Sequence, residues 1–262
     1  MERWNAVLVA LLVMASFASG SMYTKIQYLE KNTVVAKPQI LPVLSPTPSP
    51  AATSLKTDRP QVELFVISYC PYGLQVQKAL VPVAKLLKGK ADITVRWVDY
   101  AMHGEKEILE NINQYCLQQT QPEKYWPYLE CFVANNDSQN CQQTAGVDTL
   151  TLRSCFEKTD GQYGLTKSFR DSGTWLNGQF PPFGIDTSKN KKYQVRGSPT
   201  IIINGQVASP PTRSAESVKQ LICSSFINLP AECNQTLSTS EERPGPCEVG
   251  LPYVGGGQGG CQ

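Results

Sequence analysis

The chain has 262 residues, a formal net charge of +2 and a composition that is 41% hydrophobic. A chain of this length can bury a full core, so it needs neither a metal nor a disulfide in order to fold. Its charges are spread along the sequence without a basic run that would grip phosphates, which argues against nucleic acid as a partner. The single histidine and the lack of short paired cysteine spacings argue against a metal site, and no cofactor is expected.

The first 22 residues have the layout of a leader. Arg3 precedes an apolar run from Ala6 to Ala18, and the small residues Ala18-Ser19-Gly20 provide a cleavage site for a signal peptide. Extended to Met22, the run is also near the lower limit of about 17 residues for a membrane-spanning helix. A cleaved signal peptide and an N-terminal anchor over residues 6–22 both remain open. Either one places the chain outside the cytoplasm, and the membrane is a partner only through such an anchor.

Three further regions follow the leader. Residues 23–60 are predicted to form a linker, because the stretch 37–60 holds six prolines and favours an extended polyproline conformation. Residues 61–233 are predicted to form one folded domain. Residues 234–262 are rich in Gly, Ser and Pro and have little to bury, so they are predicted to form a tail, which a disulfide between Cys247 and Cys261 would pin.

The folded domain is predicted to begin with a β-α-β unit. The run 62–67 is rich in β-formers and stops at Tyr69-Cys70-Pro71. An amphipathic helix follows, with apolar positions between Leu74 and Leu87, and a second strand covers 93–98. Such units have a right-handed crossover and imply a pair of parallel strands in an α/β sheet.

A helical block and a hairpin complete the domain. The block, about 102–190, carries no strand signal and is predicted to hold helices near 104–119, 122–134 and 148–157. Asn204-Gly205 is a strong two-residue hairpin signal between two β-rich runs, and a last helix is predicted from about 214 to 226. This order of elements predicts a thioredoxin-like α/β fold with a helical, cysteine-rich insertion.

Cys70 lies at the turn between the first strand and the first helix, in the run Cys70-Pro71-Tyr72-Gly73. The unpaired N–H groups and the positive end of the helix dipole favour an anion there, and the thiolate is the reactive form of cysteine. Pro71 suits the first helical position because its φ is already helical and its missing N–H is not needed. A buried, inert cysteine is the alternative, but we predict that Cys70 is catalytic.

A second short run is expected to face Cys70. In thioredoxin-like folds the proline ahead of the third strand is cis and faces the active cysteine, and Ser198-Pro199-Thr200 resembles that arrangement. A cis proline would expose the neighbouring backbone of Ser198, so that it could pair with an extended substrate. The predicted substrate-binding residues are therefore Pro71, Tyr72, Ser198 and Pro199.

The start of the helical block resembles the signature of the gamma-interferon-inducible lysosomal thiol reductase family, C-Q-H-G-x-x-E-C-x-x-N-x-x-x-x-C. The positions in register with it are His103, Gly104, Glu107, Asn111 and Cys116. Ala101 and Ile108 stand where the first two cysteines of the signature would be. Loss of both cysteines together is what removal of a mutually bonded pair would look like. The runs around Cys70 and Pro199 are also similar to those of bacterial DsbA-like proteins. Both families share the thioredoxin fold, so the resemblance implies a thiol-disulfide oxidoreductase.

The main departure from both families is at the active site. Both have C-x-x-C, and the second position here is Gly73, so no sulfur at that position can resolve a mixed disulfide on Cys70. Release would need an external thiol, a second substrate thiol or another cysteine of the chain; Cys247 and Cys261 are the tail candidates, although a disulfide between them explains them more simply. The predicted protein is a monothiol reductase or isomerase that acts on disulfide-containing proteins or peptides and uses an external thiol reductant.

Nine cysteines fit a compartment in which disulfides persist. An odd number leaves at least one sulfur without an intramolecular partner, unless two chains are cross-linked or pairs are incomplete. The four cysteines of the helical block allow three connectivities, of which we favour the one that closes the shortest loop. The expected pairs are Cys116 with Cys155, Cys131 with Cys141, Cys223 with Cys233, and Cys247 with Cys261. Cys70 is then the free cysteine.

Other interpretations of the same residues make further predictions. A non-catalytic module could hold extended peptides in the same groove. A Cys70–His103 dyad would suggest hydrolysis, but we expect His103 to be a structural hydrogen-bonding residue. Glutathione as the partner of a glutaredoxin-like Cys-Pro-Tyr site is disfavoured by the leader. Glu63 lies seven rather than six residues before Cys70, which points it to the other face of its strand, so it is not counted as catalytic. Gly73→Cys is expected to raise turnover if the missing sulfur is what limits release.

Overall fold

The computed structural model describes residues 55–245 of the chain. The predicted leader, most of the predicted linker and the end of the predicted tail, with Cys247 and Cys261, lie outside the described residues. Within 55–245, no helix combines the length and the apolar character that crossing a bilayer requires.

A four-stranded sheet forms the centre of the described part. Its strands are β1 (Gln61–Val66), β2 (Asp92–Trp97), β3 (Thr200–Ile203) and β4 (Gln206–Ala208). They lie in the order β2-β1-β3-β4, with β1 and β2 parallel and the other two neighbouring pairs antiparallel. Both parallel strands begin one residue earlier than the sequence pattern predicts, which is within the usual uncertainty of strand ends.

Helix α1 (Pro71–Leu86) makes the crossover from β1 to β2. Its first turn begins with the proline that the sequence places there, and its apolar positions are buried against the sheet. The helix ends at Leu86, and the N–H of the C-cap residue Leu87 donates to the carbonyl oxygen of Val83. The β-α-β start predicted from the apolar periodicity is therefore present.

The insertion between β2 and β3 is helical. Its helices are α2 (Glu105–Thr120), α3 (Pro122–Asn135), α4 (Ser138–Thr144), α5 (Thr149–Tyr163), α6 (Leu165–Arg170) and α7 (Thr187–Tyr193). A disulfide between Cys116 and Cys155 joins α2 to α5, and one between Cys131 and Cys141 joins α3 to α4. The short helices α4, α6 and α7 were not predicted, because six or seven residues carry too little periodicity to show as helices.

The last elements are the hairpin and helix α8 (Ala215–Cys223). Asn204 and Gly205 have φ values of 49° and 82°, which is the left-handed pair that a tight two-residue hairpin requires. A disulfide ties Cys223, at the end of α8, to Cys233. The order and pairing of these elements are those of a thioredoxin-like α/β fold with a helical insertion that contains disulfides, as the sequence predicted.

Alternation along β1 divides the core into two unequal parts. Leu64 and its even-numbered neighbours face a large cluster that also takes in α1, α8 and the insertion. Phe65 and Ile67 face a small cluster on the opposite side of the sheet. Cys70 packs against the edge of this small cluster, which places its sulfur at the margin of the sheet rather than in the main core.

Candidate functional site

Cys70 is the N-cap of α1, where the chain leaves β1. Its N–H donates to the carbonyl oxygen of Ile67 at 2.9 Å, and its carbonyl oxygen accepts from the N–H of Leu74 at 2.8 Å. One residue therefore closes the turn after the strand and opens the helix. Within 55–245 it is the one cysteine that no disulfide includes, and it is partly exposed to solvent.

The loop before β3 lies directly beside this sulfur. The Ser198–Pro199 peptide bond is cis. The carbonyl oxygen of Ser198 lies 3.6 Å from Cys70 Sγ, close enough to accept the thiol hydrogen. The hydroxyl of Ser198 accepts the N–H of Ile67 at 3.0 Å, so the loop is held to the strand end from which the Cys70 turn starts.

Gly73 is buried under the same loop. A Cβ atom placed on Gly73 would lie 2.6 Å from Ser198 Oγ, 3.2 Å from the carbonyl oxygen of Ile67 and 3.3 Å from Cys70 Cβ. The first of these distances is shorter than real Cβ contacts. The hydroxyl of Ser198 thus lies where the Cβ of a second active-site cysteine would be, so Gly73→Cys requires that hydroxyl to move, and its effect on turnover stays a prediction.

The solvent side of the site is formed by the first turn of α1. Pro71 is exposed, and 54% of Tyr72 is exposed. The guanidinium carbon of Arg213 lies 5.0 Å from the centre of the Tyr72 ring, within the range of a cation–π contact. A groove of about 210 Å³ runs from Pro199 past Arg213 to the end of β4. The sequence offered no signal for Arg213, which reaches the site only through the tertiary fold.

Tyr100 is a neighbour of Cys70 at the edge of the small cluster. Its ring packs with Cys70 on the small cluster, and its hydroxyl donates to the carbonyl oxygen of Arg196 at 3.1 Å. Burial raises the pKa of Tyr100, and the neighbouring Asp99 and Cys70 act in the same direction. The tyrosine therefore stays neutral and contributes a fixed wall beside the sulfur. Nothing in the sequence pattern distinguished it from a packing residue.

Asn111, one of the residues in register with the signature, supports the turn that carries Cys70. It is fully buried on α2, and its Oδ1 accepts the N–H of Ser68 at 3.1 Å. Ser68 precedes Cys70 by two positions, so the amide fixes the path of the chain into the active turn. Its role here is positional.

Gly104, Glu107 and His103 hold the start of α2 together. Gly104 is the N-cap with φ of 85°, a conformation that residues with a side chain rarely adopt. The buried carboxylate of Glu107 accepts the N–H of Met102 at 2.6 Å and the N–H of His103 at 3.2 Å, in the manner of a capping box. It also contacts Nδ1 of His103. In the described part no contact joins His103 to Cys70, which removes the support for a hydrolytic dyad.

The contact between Asn111 and Ser68 makes a test of the support for the turn. Asn111→Ala leaves the buried N–H of Ser68 without its acceptor, which is expected to lower the free energy of unfolding by about 1 to 2 kcal/mol. Urea denaturation followed by circular dichroism measures this change. Gln119→Ala, an exposed position of the same helix, is the control and is expected to change stability by less than about 0.5 kcal/mol. Equal stabilities of the two variants would show that Ser68 finds another partner.

A buried carboxyl group lies behind the site. Glu110 on α2 is fully buried, and it accepts hydrogen bonds from the hydroxyl of Tyr128 at 2.8 Å and from Nε2 of Gln114 at 2.7 Å. Burial raises the pKa of Glu110 to about 7, against the partial opposition of these hydrogen bonds. Burial, together with the charges of Glu110 and Glu107, raises the pKa of Tyr69 to about 12. No sequence pattern indicated that Glu110 is buried.

The carboxylate of Glu63 is paired with two cations. It lies on the face of β1 opposite Leu64, where its carboxylate meets Nε of Arg96 and Nζ of Lys189, each at 3.0 Å. These cations hold the pKa of Glu63 below its usual value although burial raises it. Within 55–245 no group of three or more His, Cys, Asp or Glu residues is arranged to hold a metal ion.

Comparisons with known proteins find likeness of fold only. No family model matches the sequence, and no curated protein matches it. The crystal structure of reduced DsbA from Mycobacterium tuberculosis is 13% identical, with 69% of this chain and 92% of that chain covered and a TM-score of 0.46. The crystal structure of oxidised BdbD from Bacillus subtilis is 18% identical, with 64% of this chain and 89% of that chain covered and a TM-score of 0.42. The crystal structure of reduced DsbA1 from Neisseria meningitidis is 15% identical, with 68% of this chain and 86% of that chain covered and a TM-score of 0.42.

Proposed function

We propose that the protein is an extracytoplasmic thiol-disulfide oxidoreductase whose reactive group is the thiol of Cys70. The observation that carries the proposal is the contact of 3.6 Å between Cys70 Sγ and the carbonyl oxygen of Ser198, at a sulfur that is open to solvent. Cys70 is the N-cap of α1, so the unpaired N–H groups of the first turn lie at the same end of the helix as this residue.

The substrates that fit this site are disulfide-containing proteins or peptides in an extended conformation. The carbonyl oxygen of Ser198 accepts only a weak thiol hydrogen, so it is free to accept the N–H of a substrate residue. That hydrogen bond lays the substrate chain across Pro199 and next to the exposed Tyr72 ring. A cystine in this chain then has one of its sulfur atoms in front of Cys70.

The reaction is thiol-disulfide exchange through a mixed disulfide. The Cys70 thiolate attacks one substrate sulfur, the substrate disulfide breaks, and the other substrate sulfur leaves as a thiolate. Position 73 offers no sulfur for the next attack, so the mixed disulfide must be released by a thiol from another source, as in a monothiol reductase or isomerase. The three disulfides in the described part suit a compartment outside the cytoplasm, consistent with the predicted leader.

Reduction of insulin driven by dithiothreitol tests the proposal. The wild-type protein is expected to accelerate insulin precipitation, and Cys70→Ser is expected to return the rate to that of dithiothreitol alone. Mass spectrometry of the protein mixed with a cystine peptide and quenched in acid should find the peptide bonded to Cys70. The double variant Cys131→Ser/Cys141→Ser removes two other sulfurs distant in sequence, and it is expected to keep the activity.

A non-catalytic peptide-binding module is the competing function, because the second sulfur of the usual dithiol site is missing. It predicts that the wild-type protein and Cys70→Ser bind an extended peptide equally and that neither accelerates insulin reduction. That pair of results would replace the enzymatic proposal.

A further inference from the structure

The backbone of Arg213 is held in place on both sides. Its N–H donates to Oε1 of Glu241 at 3.4 Å, and its carbonyl oxygen accepts the N–H of Glu242 at 3.2 Å. The next residue, Ser214, is the N-cap of α8, and its hydroxyl accepts the N–H of Ser217. Two residues of the predicted tail and the start of a helix therefore fix this arginine beside the proposed active site.

A buried amide orients the guanidinium group of Arg213. Nη1 donates to Oε1 of Gln75 at 2.7 Å, and Gln75, on α1, is only 4% exposed. Nε2 of Gln75 donates in turn to the carbonyl oxygen of Glu242 at 2.5 Å, which fixes the amide itself. The Tyr72 ring also contacts the guanidinium group, whose carbon lies 5.0 Å from the ring centre. A side chain held in this way loses little further freedom when it binds a ligand.

The positive charge of this guanidinium group has no carboxylate partner within 55–245. None of the salt bridges in this part of the chain includes Arg213. A guanidinium group has five N–H donors, and the Gln75 amide accepts from one nitrogen only. The other donors are open to a ligand, and a planar pair of N–H groups matches the two oxygens of a carboxylate.

The groove beside Arg213 adjoins the loop that faces Cys70. Its lining includes Pro199, the start of β3, the end of β4 and Val76 of α1. Among the described lining residues, Arg213 is the one that carries a charge. The groove volume of about 210 Å³ is below the range of roughly 300 to 1,000 Å³ of sites that enclose a whole small molecule. A groove of this size suits one or two side chains of a longer ligand.

We propose that this groove and Arg213 select substrates that carry an acidic side chain close to the reacting cystine. The inference rests on the proposed function of Cys70 and adds to it the class of substrate, which is an extended disulfide peptide with glutamate or aspartate near the cysteine. The methylene groups of such a side chain pack on apolar lining residues such as Ile201 and Val207. Its carboxylate pairs with the guanidinium group of Arg213.

Strand geometry gives the position of the acidic residue in the substrate. Successive side chains of an extended chain point to opposite sides, and residues two positions apart lie on one side, about 6.6 Å from each other. A substrate cysteine that faces Cys70 therefore shares its side with the residues two positions before and after it. One of these two residues is expected to place its side chain in the groove.

The expected size of the preference follows from the exposure of Arg213. The side chain is partly exposed, so the new pair should behave as a surface ion pair, which changes a rate by about fivefold at most. Because salt screens exposed charges, the preference should shrink as the ionic strength rises from about 0.01 M to about 0.5 M. A basic side chain in the groove meets a like charge and is disfavoured.

Three disulfide-linked peptides test the inference. Each is a dimer of acetyl-X-Gly-Cys-Gly-X-amide, in which X is glutamate, glutamine or lysine, and the capped ends leave the side chains as the only charges. Acid quenching and mass spectrometry measure the rate at which each peptide becomes bonded to Cys70, and the rate with dithiothreitol corrects for intrinsic reactivity. The wild-type protein is expected to react about fivefold faster with the glutamate peptide than with the glutamine peptide, and slowest with the lysine peptide.

Variants of Arg213 should change this order in a defined way. Arg213→Gln is expected to lower the ratio of the glutamate rate to the glutamine rate from about five to about one. Arg213→Glu is expected to reverse the order, so that the lysine peptide reacts fastest. Arg153→Gln is the matched control, because Arg153 is an exposed arginine that pairs with Glu157 on α5, and it should keep the wild-type order. Circular dichroism establishes that all variants are folded.

The possible failures are distinguishable. Equal corrected rates for the three peptides, or an Arg213→Gln variant that keeps the wild-type ratio, would overturn the inference and leave the proposed function intact. Absence of peptide on Cys70 in every protein would refute the proposed function instead. The groove is then tested by fluorescence anisotropy with Cys70→Ser and labelled peptides that carry serine in place of cysteine. Tighter binding of the glutamate peptide that Arg213→Gln abolishes would support the groove, and equal binding of the three peptides would overturn it.

Discussion

Glu110→Gln is expected to abolish a fall in stability that the wild-type protein shows as the pH rises from about 4.5 to about 7. Burial raises the pKa of Glu110 from 4.5 to about 7, so the folded state binds this proton more tightly than the unfolded chain does. The stabilisation is fully present below the unfolded value and is lost as the pH rises through the folded value. At its upper limit the difference is about 3 kcal/mol, from about 1.4 kcal/mol for each pKa unit.

Urea denaturation at several pH values between about 5 and 8 measures this dependence. The wild-type midpoint is expected to fall with rising pH, and Glu110→Gln should hold a nearly constant midpoint that exceeds the wild-type value at the alkaline end. Glu105→Gln is the control, because Glu105 lies on the same helix but is a surface partner of Arg170. It should keep the wild-type slope. A Glu110→Gln variant with that same slope would show that Glu110 is already ionised in the folded protein.

The ionisation of Glu110 bears on the active turn through its neighbours. Glu110 precedes Asn111, whose Oδ1 holds the N–H of Ser68. Tyr69, between Ser68 and Cys70, packs its ring edge-on against Phe132 with centroids 5.5 Å apart, and the Glu110 charge contributes to its raised pKa. Proton uptake in the core and the geometry of the turn thus involve the same stretch of α2.

The fold could be predicted because its signals are local. Alternating or helical apolar periodicity reveals each long element, and Asn204-Gly205 specifies a hairpin because few residue pairs accept two left-handed conformations in succession. The loop lengths between cysteines favoured the pairings that the structure has within the described part. Short helices such as α4 and α6 are fixed by tertiary packing and carry no comparable signal.

The site could be predicted only in its central residues. Cys70 and Pro199 stand at element boundaries that the sequence marks, so their approach follows from the fold. Arg213 and residues 235–245, whose backbone carbonyl oxygens accept from Gln75 and Lys78, were missed because their contacts join distant parts of the chain, mostly through backbone groups that every residue possesses. The one available hint was Lys78, a charged residue at a helix position that the apolar pattern buries, since a buried lysine requires acceptors from elsewhere.

Gly73→Cys is expected to destabilise the protein by about 1 to 3 kcal/mol and to leave turnover at or below the wild-type level, because the new Cβ overlaps the hydroxyl of Ser198. Gly73→Ala should cost a similar amount, since the Cβ alone makes the clash. Ser198→Ala removes the hydroxyl and leaves the N–H of Ile67 without its acceptor, at a cost of about 1 kcal/mol. Urea denaturation gives the free energy of unfolding of each variant.

The double variant Gly73→Cys/Ser198→Ala tests directly whether the Ser198 hydroxyl is what excludes a side chain from position 73. If the hydroxyl is the obstacle, the double variant should be more stable than the sum of the single changes by at least about 1 kcal/mol, and it alone should show the gain in turnover that a second cysteine brings. Additive free energies, within about 0.5 kcal/mol, would mean that the hydroxyl is not the obstacle.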